Sequence, residues 1–361
     1  MSVRLSPSVL CGQLIVGGFE GEVLSPTFLR AMAAGRRGGA ILFKRNLPSV
    51  THAHALCRDL AAAAPSDLPP FIGVDEEGGR VSRLGAPVLR LPPMRTLARG
   101  GSELIERCGR VLGAQLAAIG FNLDFAPILD VDTNPANPII GDRAFGSEPE
   151  AVCMGALAFY QGLSRGVLGC GKHFPGHGDT HVDSHVGLPV IEHDRARLDA
   201  IELVPFMAAA RSGMDSLMSA HVMVPALDPA VPATLSSRIC TDLLRGELGY
   251  DGVLFSDDLE MKAVADMLPV EDLAVRAIAA GCDVLLVCRD EQLQERAHAA
   301  LVREFEKSPA FQERCREALR RGLDARRRRV PTPADGAALD AVLSLSRPLE
   351  QKIAQACKSA S

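Results

Sequence analysis

The segment Lys172-His173-Phe-Pro-Gly-His177-Gly-Asp179-Thr-His181-Val-Asp183-Ser-His185 carries four of the chain's nine histidines within thirteen residues, where an even spread would place about 0.3. Two chemistries suit such a cluster. Histidines four apart with aspartates nearby can supply nitrogen and oxygen ligands to a metal that activates water. Alternatively, a carboxylate two residues from an imidazole, as in Asp183-Ser-His185, can set the ring's tautomer and charge for general acid–base work. Gly171, Pro175, Gly176 and Gly178 make the segment a loop able to move over a cleft. A metal centre needs rigid, preorganised ligands, so the acid–base reading is favoured. A second motif, Ser256-Asp257-Asp258, closes the apolar run that starts at Gly252. It presents Asp257 from a rigid element, as covalent catalysis requires of a nucleophile.

These residues need elements to hold them. Eight short apolar runs, of the kind buried parallel strands show, cover Leu14–Gly18, Ala40–Lys44, Phe71–Asp75, Asn122–Pro127, Gly169–Phe174, Ser216–Val224, Gly252–Asp257 and Asp283–Cys288. Helical segments are expected between and after them, at Ser25–Arg37, Ser49–Ala64, Ser102–Ile119, Glu148–Ser164, Arg195–Arg211, Ser236–Glu247, Pro269–Ala280 and Glu291–Phe305, several opened by a capping Ser. Eight alternations without a Gly-x-Gly-x-x-Gly turn predict an α/β fold, a single (β/α)8 TIM-type barrel with a C-terminal helical extension. The division expected is a catalytic domain over 1–305 and the extension over 306–361. The basic run Arg326–Arg329 reads as a solvated face of that extension.

In such a barrel chemistry sits at the C-terminal ends of the strands, and here those ends are polar. The third runs into Asp75-Glu76-Glu77, the fourth toward Asp130 and Asp132, the fifth into Lys172-His173, the sixth into His221 and the seventh into Asp257-Asp258. Isolated charges are costly to bury, so such groups face a wet cleft or one another.

Composition narrows the remaining classes. A formal charge of −5 argues against a nucleic-acid binder with a dominant basic face. No apolar run spans a bilayer and the first residues lack a secretory pattern, which gives the expectation of a cytoplasmic protein with no membrane partner. The ten cysteines, from Cys11 to Cys357, include no Cys-x-x-Cys pair and read as reduced core thiols.

Taken together, Val74–Arg83, Phe125–Asp132, Gly141–Gly146, Lys172–His185, Met218–Val222, Pro232–Ser236 and Leu248–Met261 resemble, in order, glycoside hydrolase family 3 and within it the bacterial NagZ-type β-N-acetylglucosaminidases (β-hexosaminidases) of peptidoglycan recycling. The resemblance implies that Asp257 is the nucleophile and that His185, paired with Asp183, is the acid/base. It also implies that Asp75, Arg83, Arg143, Lys172 and His173 grip the sugar, through charge-assisted hydrogen bonds. A His–Asp pair would then replace the second carboxyl of an ordinary retaining glycosidase. An imidazole of ordinary pKa, about 6.5, can protonate the leaving oxygen and then activate water.

The function so implied is a retaining exo-β-N-acetylglucosaminidase acting on 1,6-anhydro-muropeptides, monomeric and without cofactor or metal. Water or inorganic phosphate remains open as the acceptor. Two departures stand out: Glu76 where Gln is frequent and Ala144 where Ser is frequent. The alternatives are a metal-dependent hydrolase on the same barrel, using His173, His177 and Asp257, and a non-catalytic sugar-binding protein.

Overall fold

The computed structural model describes residues 5–181 and 187–359. Eight parallel strands close into a barrel in chain order. They are β1 (Ile15–Gly17), β2 (Gly39–Leu42), β3 (Phe71–Val74), β4 (Leu123–Asp124), β5 (Leu168–Phe174), β6 (Ser216–Ser219), β7 (Val253–Asp258) and β8 (Val284–Val287). The ring is completed by β1 against β8, with Ile15 opposite Leu285 and Gly17 opposite Val287.

Successive residues of a strand face opposite sides, and the packing divides accordingly. Val16, Ile41, Phe71, Leu123, Phe125, Leu168, Met218, Phe255 and Leu286 form an inner cluster, in which the Phe255 ring meets Phe71 at 5.2 Å and Phe125 at 5.4 Å between centroids. Their neighbours Ile15, Leu42, Ile72, Leu217, Leu254 and Leu285 join the larger cluster beneath the helices. A Cβ at Gly73 would lie 2.8 Å from the Phe125 ring, so glycine makes room for that side chain.

Of the serines expected to open helices, Ser25 and Ser49 cap theirs, Ser102 lies inside Gly101–Ile119, and a cap not expected is found at Ser308. Ser25 caps Pro26–Ala33, Ser49 caps Val50–Ala63 and Ser308 caps Pro309–Arg328, each accepting a backbone N–H in the first turn. Three expectations are revised. The helix read over Arg195–Arg211 is two helices, Arg195–Ala200 and Val204–Arg211, with Pro205 in the first turn of the second, where a missing N–H does no harm. The strand read over Asn122–Pro127 is two residues long, and Pro127 has no N–H to donate to a ladder. The sixth strand ends at Ser219, not Val224.

The C-terminal residues form the helices Pro309–Arg328, Gly336–Leu343 and Ser346–Ser359. Here the basic run is not simply a solvated face, because Arg326 is fully buried. Its Nη1 donates to Gln13 Oε1 at 2.8 Å and to the Gly38 carbonyl at 2.9 Å, and its Nε to the Gly322 carbonyl at 3.1 Å. Its guanidinium lies 5.1 Å from the Phe71 ring centroid. Burial pulls its pKa down to about 9. Apolar strands thus end against one charged group whose partners are carbonyls.

Among the described residues, no helix is long and apolar enough to cross a membrane, and the cysteines form no disulfide.

Replacing Arg326 with Ala strands those acceptors and is expected to lower the unfolding free energy by about 2–4 kcal/mol. Urea titration of both proteins measures it. A change below about 0.5 kcal/mol would mean that the base of the barrel does not depend on this side chain.

Candidate active site

The strand ends converge on a cavity of about 220 Å³ lined by Asp75, Glu77, Arg83, Arg143, Lys172, His173, His177, Asp257 and Asp258, with Phe43, Met218 and Met261 on its apolar sides. Asp75, Glu77, Arg83, Arg143 and Lys172 form one ionic lattice. Glu77 accepts Arg143 through both oxygens, at 2.9 and 2.8 Å. Lys172 Nζ bridges Asp75 at 2.7 Å and Glu77 at 2.5 Å, while Arg83 reaches the other Asp75 oxygen at 3.5 Å. Burial alone would raise the pKa of Glu77, but Arg143 and Lys172 hold it far below the ordinary carboxylate range. Lys172 is likewise raised by Asp75 and Glu77 against a burial effect of opposite sign. Both sides of the lattice are therefore charged at neutral pH.

A second carboxylate organises the histidines. Asp130, fully buried, takes His173 Nδ1 at 2.7 Å through Oδ2, and through Oδ1 the backbone N–H groups of His177 at 2.7 Å and His173 at 3.2 Å. A charged acceptor at Nδ1 assigns the proton there and leaves Nε2 for the cavity. His177 pairs through Nδ1 with Thr180 Oγ1 at 2.7 Å, and burial lowers its pKa to about 4, so it is neutral near pH 7. His173 and His177 thus each commit one nitrogen within the protein. Among the described residues, no three His, Cys, Asp or Glu side chains gather as a metal-ligand set.

β7 delivers Asp257 and Asp258, half-buried, to the cavity floor. Burial opposes ionisation of Asp257, yet His221, His173, the Asp258 amide and Lys172 together hold its pKa below the ordinary value. One carboxyl oxygen accepts the Asp258 N–H at 2.8 Å. Burial pushes Asp258 the other way, up to about 7. His221 braces the strand end, since its Nε2 meets the Asp258 carbonyl at 3.0 Å. A carbonyl only accepts, so Nε2 carries a proton. Its Nδ1 faces Thr234 Oγ1 at 2.9 Å.

Of the residues singled out from sequence, Asp75, Arg83, Arg143, Lys172, His173 and Asp257 come together around this cavity. Asp183 and His185 lie outside the described residues. The chain leading to them is fixed. Gly178 passes so close to Val131 that a Cβ would sit 1.8 Å from its carbonyl oxygen, and Asn137 and Asn134 hold Thr180. His181, without a role in the sequence reading, takes Asn134 Nδ2 on its Nδ1 at 3.1 Å. On the far side, His193 Nε2 bonds to Asp179. Sequence reasoning gave no role to Glu77, Asp130 or His221, whose signal was their position at strand ends, and it gave His177 a role only as a ligand in the metal-dependent alternative.

The two departures are accommodated locally. Glu76 is buried and takes the N–H groups of Arg83 at 2.8 Å and Leu84 at 3.0 Å, along with the Ser82 hydroxyl. Burial raises its pKa, toward the neutral state a glutamine always has. Ala144 is buried in a small cluster with Ile128 and Ile140.

Residues 24–325 match the model of the glycosyl hydrolase family 3 N-terminal domain. The chain belongs to glycosyl hydrolase family 3. As a member of that family it is a glycoside hydrolase. It is 40% identical over 324 residues to the β-hexosaminidase of Chromobacterium violaceum, covering 86% of this chain and 88% of that protein. Among solved structures, a family 3 β-N-acetylglucosaminidase from Paenibacillus sp. str. FPU-7 superposes with a TM-score of 0.89 at 38% identity, over 97% of this chain and 69% of the other. NagZ from Neisseria gonorrhoeae, solved with N-trifluoroacetyl-D-glucosamine, gives 0.76 at 31% identity, over 96% and 98%.

Replacing Glu77 with Gln removes the charge shared by Arg143 and Lys172 and is expected to lower stability by about 3 kcal/mol at neutral pH. Because the folded-state pKa of Glu77 is depressed, its contribution is complete above the ordinary Glu value of about 4.3 and is lost as pH falls through the folded value. Urea titrations at pH 7 and in acid should therefore show the gap between variant and wild type narrowing in acid; a gap that widens would contradict the assignment.

Proposed function

We propose that this family 3 hydrolase is a retaining exo-β-N-acetylglucosaminidase that releases terminal β-linked N-acetylglucosamine by double displacement, from 1,6-anhydro-muropeptides in the cytoplasm. The observation that carries the reading is Asp257, a carboxylate held ionised in a small cavity that is also lined by the lattice of Asp75, Glu77, Arg83, Arg143 and Lys172. Such walls hold hydroxyl groups in register, while the carboxylate waits below the anomeric carbon. The β-hexosaminidase relatives supply the sugar class.

In the first step an Asp257 oxygen bonds to the anomeric carbon as the bond to the leaving oxygen breaks. His185, oriented by Asp183, donates its proton to that oxygen. In the second step neutral His185 takes a proton from water, the hydroxyl adds to the anomeric carbon and Asp257 departs as carboxylate. Both steps balance without a cofactor. Lys172 and His173, held by carboxylates, position the ring, and His221 positions the strand end that carries Asp257.

Asp257→Ala is expected to lose at least about 10⁴ in kcat on an aryl N-acetyl-β-glucosaminide. Substantial residual turnover would remove Asp257 from the nucleophile's role. Wild-type release of the aryl group should survive exhaustive EDTA treatment in phosphate-free buffer; activity lost on chelation and restored by a divalent ion would overturn the metal-free mechanism. With His185→Ala the loss should grow as the leaving group becomes more basic, and equal losses across a leaving-group series would contradict its role as acid.

A further inference from the structure

His221 lies two residues past β6 and is fully buried. With its Nε2 donating to the Asp258 carbonyl, the charge of the ring depends on Nδ1, whose partner is Thr234 Oγ1 at 2.9 Å. Thr234 belongs to the short turn Ala233–Leu235 and is also fully buried. Its hydroxyl has one proton and three neighbours: His221 Nδ1, the Ala220 carbonyl at 3.0 Å and Ser219 Oγ at 2.9 Å.

A carbonyl oxygen only accepts, and a buried one left facing lone pairs is costly, so the Thr234 proton goes to Ala220. The two lone pairs of Thr234 Oγ1 then accept, one from the Ser219 hydroxyl and one from Nδ1. The Cys282 thiol makes no demand on that oxygen, because its proton is directed at the Thr234 carbonyl, 3.8 Å away. Nδ1 can meet Thr234 only as a donor, and a ring that donates from both nitrogens is a cation. We infer that Thr234 holds His221 as an imidazolium, whose charge keeps the Asp257 nucleophile ionised.

A buried cation needs an opposing charge, and Asp257 is the carboxylate that responds to this one. Burial raises the pKa of Asp257; of the influences that bring it below the ordinary value, His221 comes first, ahead of His173, the Asp258 amide and Lys172. The other titratable groups facing Asp257 are Lys172 and His173 from β5, His177 from the loop after β5, Asp258 with Glu260 close to it, and Cys288 past β8. Lys172 and His173 have carboxylates of their own in Asp75, Glu77 and Asp130. The inference rests on the glycosidase reading and deepens it. In the first step the charge on His221 holds Asp257 ready as carboxylate, and in the second it stabilises the carboxylate that departs. Thr234 is a positioning residue, acting through His221 and not on the sugar.

Nuclear magnetic resonance of wild type carrying isotope-labelled histidine observes the ring protons directly. His221 should show two ring N–H signals across the active pH range, assigned by their shift in Thr234→Ser. A single ring N–H on His221 overturns the inference without any variant. Thr234→Val keeps a similar shape and removes the hydroxyl. It should lose the Nδ1 signal and raise the acid limb of kcat/KM for 4-nitrophenyl N-acetyl-β-glucosaminide by about one pH unit, a tenfold loss below the limb. The sign follows because Asp257 must be ionised, and its pKa rises when the neighbouring positive charge is lost.

Thr234→Ser should keep both signals and the wild-type limb. A Thr234→Val enzyme that is slower at every pH with its limb unmoved would mean that the hydroxyl is merely structural, and overturns the inference. Where Thr234→Val fails to fold, the signals of wild type and Thr234→Ser still decide. A wild type that shows both N–H signals but no activity on the glycoside overturns the glycosidase reading and the nucleophile with it, while the placement of the two protons stands.

Discussion

A carboxylate taken out of water must be met by positive charge, and Glu77 is the place where that constraint shapes this molecule. It sits just past β3, yet its partners come from the loop after β4 and from β5: Arg143 through two parallel hydrogen bonds and Lys172 through one contact. Neither cation can leave without exposing a buried negative charge, and Glu77 cannot leave without freeing two positive ones. The mouth of the barrel is thereby tied across three successive strand ends. Asp75 enters the same lattice through Lys172, so one wall of the cavity is set as a unit.

The barrel has two differently built ends. At the mouth, charges are paired and line a wet cavity. At the base, Arg326 is a lone guanidinium surrounded by carbonyl and amide oxygens and an aromatic ring. Acceptors at that end meet its Nε and Nη1 but leave Nη2 without a hydrogen bond among the described residues and offer no full opposing charge. Between the two, Phe71, Phe125 and Phe255 fill the interior edge to face. Loops at the mouth can therefore carry chemistry while the ladder beneath them stays closed.

The strands were legible because burial on both faces demands unbroken apolar runs, and the eight expected runs coincide with the eight strands. Their lengths were less legible where a proline or an inward-turning chain cut the ladder short, as after Asp124 and Ser219. Asp257 could be read from a strand ending in acids. The work of Glu77 and Asp130 could not, because a sequence shows an acidic residue but not which distant cation or imidazole meets it. Arg326 misled for a related reason: a run of arginines looks uniformly solvated, and only the packing of Pro309–Arg328 on the barrel picks one of them out.

Asp130 holds the His173 ring and the His177 backbone with a single carboxylate, so one side of the cavity and the point from which the next loop departs are held together. The stretch bearing Asp183 and His185 is thereby launched from a fixed origin, with Asp179 tied to His193 on its return side. On the proposed mechanism the ring is held by residues that Asp130 places and the proton comes from a separate stretch, so a change of composition in that stretch would alter proton delivery and leave the Asp130 contacts as they are.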